Sequence, residues 1–133
     1  MKSQILQTLA ALALIATSAT AQDNPMENHT ASYIAMPAAE GQSEAFAEFL
    51  AGAAPIVRDT EPGTVLWFAL QANDTLAIFD IFADEEARNA HFSGAVAAAL
   101  NQNADTLVDG GWDEGVVANI NNSDVLSVKA PVD

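Results

Sequence analysis

Apolar positions recur at two spacings along this chain, and the alternation between them sets out an order of elements. Thr30 to Met36 reads as a strand, closed by Pro37, which cannot donate to a continuing ladder. After it, Phe46, Phe49, Leu50, Ala53 and Val57 recur at helical spacing, with Glu44 and Glu48 on the wet side and Ser43 placed to cap the first turn. Pro55 is expected to kink or shorten the last turn, because it lacks an amide proton and crowds the turn before it. Glu61-Pro62-Gly63 marks a turn. Two β-rich runs follow, Thr64 to Gln71 and Thr75 to Phe82, and their short polar connection makes them a hairpin. Val65, Trp67 and Ala69 share one face and Leu66, Phe68 and Leu70 the other; in the partner run, Leu76, Ile78, Asp80 and Phe82 oppose Ala77, Phe79 and Ile81. Both faces are largely apolar, where an antiparallel hairpin usually keeps one wet, so each needs a cover.

Asp84 is placed to cap a second helix, with Glu85 and Glu86 favourable to its dipole and Arg88 spaced to pair with Asp84. Gly94 predicts a bend, after which Val96, Ala99, Leu100 and Leu107 form a fresh helical stripe ending at Asp109-Gly110-Gly111. Trp112 to Asn122 has no clear period, with Val116 to Ile120 a candidate extended stretch, and Val125 to Ala130 is the last strand candidate, stopped by Pro131. The order β-α-β-β-α-β predicts an α+β, ferredoxin-like fold with a four-stranded antiparallel sheet and helices on one face. The bare apolar face then predicts a second sheet from an identical subunit: a homodimer forming an α/β barrel, with a ligand in the space between the sheets.

The N-terminal segment carries a different signal. Lys2, the mostly apolar run Ile5 to Ala16 and the small-x-small pattern Ala19-Thr20-Ala21 read as a secretory signal peptide over residues 1–21, cleaved near Ala21. Residues 22–29 then form a flexible arm and 30–133 the domain, which predicts a soluble periplasmic or secreted product. The 133 residues hold 4 Lys and Arg against 18 Asp and Glu, a formal charge of −14. So acidic a chain repels phosphate backbones and anionic lipid, which excludes nucleic acids and membranes as principal partners. With no Cys, thiolate chemistry and cysteine-held metals are excluded too. No G-x-S-x-G elbow, P-loop, dinucleotide fingerprint or His-Glu-x-x-His is present.

Several landmarks in order, Glu40-Gly41, Glu61-Pro62-Gly63-Thr64, Phe79-Asp80-Ile81-Phe82, Asp84-Glu85-Glu86-Ala87, Ala90-His91 and Asp124-Val125-Leu126-Ser127-Val128-Lys129, resemble the antibiotic biosynthesis monooxygenase domain. The resemblance spans Thr30 to Pro131. It implies a dimeric α/β barrel and oxidation of small quinols or polycyclic phenols with no bound cofactor, though the family also has members with no known reaction. The family's second-strand aromatic falls on Trp67, its third-strand carboxylate on Asp80 and its helix histidine on His91. Phe82 stands where the family often has Trp, and the second histidine of many members is absent. The haem-degrading branch needs a strand Asn, that Trp and an iron-ligating histidine; only the histidine has a match, which demotes haem degradation.

His91 can take a phenolic proton, hydrogen-bond a substrate or ligate a metal, or else serve as a structural histidine bonded to a backbone carbonyl. Asp80 lies among apolar strand residues, so burial should raise its pKa and suit it to acid–base work; a plain hydrogen bond to Arg88, Trp67 or backbone is the alternative. Trp67, Phe68 and Phe82 are candidates to contact an aromatic substrate, or else core. Arg58 can bind a phenolate or pair with Asp59 or Glu61. Helix capping accounts for Asp84-Glu85-Glu86 and turn chemistry for Asp109 to Gly115, so no metal is assigned. The reading is an exported, cofactor-independent, monooxygenase-like homodimer acting on a small aromatic or quinol-type molecule, with His91 and Asp80 catalytic. A non-catalytic ligand-binding or dimerisation module is the alternative, and haem binding stands third.

Overall fold

The computed structural model describes residues 29–129. The expected signal segment, the arm as far as residue 28, and the stop at Pro131 lie outside the described residues. The elements are β1 (Thr30–Pro37), α1 (Ser43–Ala51), α2 (Ala54–Thr60), β2 (Thr64–Ala72), β3 (Thr75–Phe82), α3 (Glu85–Phe92), α4 (Ala95–Leu107) and β4 (Ile120–Asp124). A π-helical turn over Gly111–Val116 and a 3-10 turn over Val117–Asn119 connect α4 to β4. The sheet runs β2-β3-β1-β4 with every neighbouring pair antiparallel. This is the α+β, ferredoxin-like arrangement that the order of elements predicts, with each connecting helix broken in two.

The breaks have local causes. Pro55 does not kink a continuing helix; it sits in the first turn of α2, where a missing amide proton costs nothing. Ser43 is the first helical residue of α1 rather than its cap, Gln42 holds the cap position, and the buried Ser43 hydroxyl has no partner. Asp84 caps α3 as expected, accepting from the Ala87 amide at 2.8 Å. Arg88 pairs with Glu85 at 2.6 Å instead of with Asp84, whose carboxylate is taken up by that cap. The β2–β3 hairpin turns on Asn73 and Asp74, with Asn73 at φ 57°, a left-handed conformation that Asn tolerates.

The last strand differs from the expectation. β4 is Ile120–Asp124, not Val125–Ala130. Its sequence, Ile-Asn-Asn-Ser-Asp, has no apolar alternation, and its strand character comes from pairing with β1, where Ser32 Oγ donates to Asn122 Oδ1 at 2.7 Å. One further bond, from the Val125 amide to the His29 carbonyl at 3.0 Å, follows the strand, and Leu126 is then 89% exposed.

Register sorts the two sheet faces. Ile34, Met36, Leu76 and Ile78 point under the helices and meet Phe46, Leu50, Leu100 and Leu107 in the core, and Phe82, buried on the same face, packs against His91 and Phe92. On the opposite face, Tyr33, Phe68 and Leu70 stand 42%, 44% and 48% exposed, with the Phe68 ring stacked on Phe79 at 6.1 Å. Among the described residues no helix is long and apolar enough to cross a membrane.

Candidate functional site

The site grows out of the turn between α2 and β2. The Glu61 amide closes α2 on the Val57 carbonyl at 2.9 Å, and the Thr64 amide bonds the Glu61 carbonyl at 3.0 Å, so the turn is held at both ends. Gly63 lets it lie against α3: a Cβ on Gly63 would stand 2.5 Å from that of Ala87. The Ala83 amide ties the turn to the end of β3 through the Gly63 carbonyl at 2.9 Å. These restraints bring Glu61 beside His91, thirty positions later on the inner side of α3.

The His91 imidazole lies between two carboxylates. Nδ1 is 2.5 Å from Glu61 Oε2, and Thr64 Oγ1 donates to the same oxygen at 3.0 Å. Nε2 is 3.2 Å from Asp80 Oδ2, close enough for an ion pair but not aligned as a hydrogen bond. Asp80 is fully buried, and His91 and Glu61 are only 5% and 9% exposed. The Phe82 and Phe92 rings flank the imidazole at 5.2 and 5.6 Å and keep its surroundings apolar. Burial raises the Asp80 pKa, more than contact with His91 lowers it. Burial alone would depress His91, but Asp80 and then Glu61 outweigh it, and the imidazole is held above its ordinary value. Two acids thus compete for one base in a dry setting, which makes this a place to hold and pass a proton.

Several polar atoms around this array lack partners. Glu61 Oε1, Asp80 Oδ1 and the Trp67 indole N–H are buried without a hydrogen bond, and Asp80 Oδ2 has only its ion-pair contact with His91. Trp67 pairs with Asp80 across the β2–β3 ladder and so shares its face. Unpaired buried polar atoms are costly, and free carboxylate oxygens on both acids that flank one buried imidazole mark it as a candidate functional site. Glu61 also lines two surface grooves. One, of about 440 Å³, runs past Pro62, Gly63, Asp84, Glu86 and Ala87. The other, of about 290 Å³, is bordered by Val57, Arg58, Thr64, Leu66 and Trp67.

The fold therefore gathers His91, Asp80, Trp67 and Phe82 on the helix-covered side of the sheet. The site lies inside the protomer and not, as expected, in a space between two sheets, because register sends Asp80 inward with Ile78 and Phe82. Phe68 points the other way, onto the bare face of the sheet. His91 is held by side chains rather than by a backbone carbonyl, and the neighbour of Asp80 is His91, not Arg88. Arg58 pairs with Asp59 at 3.0 Å on the surface. The sequence reading misses Glu61, taking it as part of a turn or as a partner for Arg58; a contact across thirty residues leaves no periodic trace. The two carboxylates sit on opposite nitrogens of the ring rather than around a common point, and among the described residues no cluster of side chains could hold a metal ion.

No family model matches the chain, and no curated protein matches it by sequence. Among solved structures, a protein of unknown function from Nitrosomonas europaea is 38% identical, with a TM-score of 0.70 over 81% of this chain and 99% of that one. A candidate antibiotic biosynthesis monooxygenase from Chloroflexus aurantiacus is 15% identical, with a TM-score of 0.59 over 77% of this chain and 97% of its own. Another, from Bacteroides thetaiotaomicron, is also 15% identical, with a TM-score of 0.59 over 80% and 95% of the two chains. At that identity the likeness shows a shared fold.

Proposed function

This chain belongs to one family with the Nitrosomonas europaea protein of unknown function, and from that premise we propose that it is a cofactor-independent monooxygenase-type enzyme acting on a small aromatic or quinol-type substrate. The observation that carries this reading is the buried Glu61–His91–Asp80 array with its unpartnered carboxylate oxygens. The fold shared with candidate monooxygenases supports the reaction class.

The array's task is to make the substrate electron-rich. Glu61, the member that borders the surface grooves, accepts a proton from a substrate hydroxyl; His91 shares that proton along the chain to Asp80, and the apolar walls prevent water from quenching the anion. The anion passes one electron to dioxygen, and the resulting pair of radicals joins at carbon as a hydroperoxide. Loss of water then turns the ring C–H para to the original hydroxyl into a carbonyl, giving a quinone. That oxidation releases four electrons, dioxygen takes up four, and one oxygen atom ends in the product and the other in water, so no further reductant is required.

The working unit is a homodimer closed over Tyr33, Phe68 and Leu70, a patch that a protomer otherwise leaves in water. Export to the periplasm or beyond follows from the segment around Ala19-Thr20-Ala21. Complete burial of Asp80 favours the second reading, a non-catalytic ligand binder whose array is structural. Oxygen uptake separates the two. Purified protein should consume dioxygen with at least one member of a quinol and polyphenol panel, and Glu61→Gln and His91→Ala should each lower the rate by about 10²-fold or more. No uptake across the panel by the wild-type protein would end the enzymatic reading.

A further inference from the structure

The sheet puts Thr64 on a face that strict alternation would deny it. Counting back from Trp67, Thr64 would share the outer face with Leu66 and Phe68, but the β2–β3 ladder shifts by one residue between Thr64 and Leu66, leaving Val65 without a partner and Thr64 opposite Phe82. Phe82 is buried on the helix-covered face beside His91, so the bulge turns the Thr64 hydroxyl inward, where it donates to Glu61 Oε2 at 3.0 Å. That oxygen also faces His91 Nδ1 at 2.5 Å. Asp80 has nothing comparable: Oδ1 is buried without a partner, and Oδ2 has only its contact with His91 Nε2 at 3.2 Å. The two acids on one imidazole thus differ in what they accept, and the difference is the Thr64 hydroxyl.

We propose that Thr64 is a positioning residue that fixes the negative charge of the array on Glu61 and confines its mobile proton to the span between His91 Nε2 and Asp80. The inference rests on the functional reading above and adds to it the residue that decides which acid stays ready as the base. A hydrogen bond to a carboxylate favours its charged form, and burial without donors favours the neutral one. At Asp80 burial has the larger effect and holds the carboxyl above its ordinary value. One proton moves: the His91 Nε2–H bond breaks, the proton bonds to Asp80 Oδ2, the electron pair stays on Nε2, and the neutral imidazole keeps its Nδ1–H turned to the Glu61 carboxylate. The other charged side chains nearby are engaged elsewhere or lie on the surface. Asp84 caps α3, Arg88 pairs with Glu85, Arg58 pairs with Asp59, and Glu86 is exposed along the larger groove.

NMR of isotope-labelled Asp and Glu carboxyl carbons in the full chain tests this, with Asp80→Asn and Glu61→Gln used to assign the two signals. As the buffer is acidified, Asp80 should take up a proton before Glu61 does. In Thr64→Val, which keeps the branched shape and strand preference of threonine, the interval between the two events should shrink by about one pH unit, in keeping with the loss of one hydrogen bond to a charged group. Thr64→Ser should restore it. A threonine that merely steadied the turn would alter the melting temperature and leave the order and the interval as they are. Uptake by Glu61 before Asp80 in the wild-type protein, a result that needs no variant to fold, would overturn the proposal, as would an interval unmoved in Thr64→Val or left short in Thr64→Ser. The two readings fail separately. Oxygen uptake by the wild-type protein with the interval unmoved in Thr64→Val removes the role of Thr64 and leaves the enzyme, whereas the expected order and its shift without oxygen uptake remove the enzyme and leave the role of Thr64.

Discussion

Asp80 and Glu61 sit on the two nitrogens of a single imidazole, and that ratio of two acids to one base governs what each residue does. Replacing Asp80 by Asn leaves one acid with one base, so it should remove the unsatisfied partner without breaking the remaining pair. The expected result is a urea midpoint unchanged or raised, with oxygen uptake reduced by about 10²-fold or more. A loss of about 3 kcal/mol or more would instead mark Asp80 as one half of a structural ion pair. The pH dependence has a definite sign. His91 is held above its ordinary 6.5, so its contribution is full below that pH and is lost as pH rises through the higher folded value. Asp80 is held above its ordinary 3.8, so its contribution too is present at low pH and is lost as pH rises through the folded value. Both groups make the protein less stable as pH rises. Chemical denaturation between mildly acidic and alkaline buffer should show a falling midpoint, and a flatter one in Asp80→Asn.

At the scale of elements, the site depends on where helices stop. α3 ends at Phe92, and Gly94 opens α4 with extended backbone. A Cβ at Gly94 would stand 2.7 Å from Glu61 Oε1 and 3.2 and 3.3 Å from the carbonyls of His91 and Ala90. Gly94→Ala must therefore push the carboxylate or the end of α3. We expect a loss of about 1–3 kcal/mol in calorimetry and a shift in the His91 ring resonances by NMR. Asp84→Ala removes the α3 cap and should lower stability by about 1 kcal/mol, again by calorimetry, with the His91 resonances unmoved. Parts of this were legible in the sequence: Gly94 as a break, Asp84 as a cap and the two-strand hairpin all follow from local chemistry. The position of β4 did not, because a polar edge strand is defined by its neighbour β1 and not by its own pattern.

At the scale of the molecule, the sheet has one face under helices and one bare. A protomer in water leaves Phe68 and Leu70 nearly half exposed on the bare side. If that face is closed by a second copy, Phe68→Asp places two like charges in the interface, and sedimentation should move from a dimer to a monomer. Unchanged sedimentation of a wild-type monomer at micromolar concentration would contradict the homodimer. The substitution lies on the far side of the sheet from His91, so its effect on the ring resonances should be small.

Local sequence was sufficient for the α+β order of elements and the two-sided apolar hairpin, because periodicity and turn chemistry act over a few positions, while it took the family resemblance together with local setting to single out His91 and Asp80. Tertiary structure alone decided that the Glu61 turn folds onto α3, that a histidine receives a carboxylate on each nitrogen, and that Asn121 to Asp124 form a strand. Such contacts join residues tens of positions apart, and their energy depends on geometry that no local pattern records.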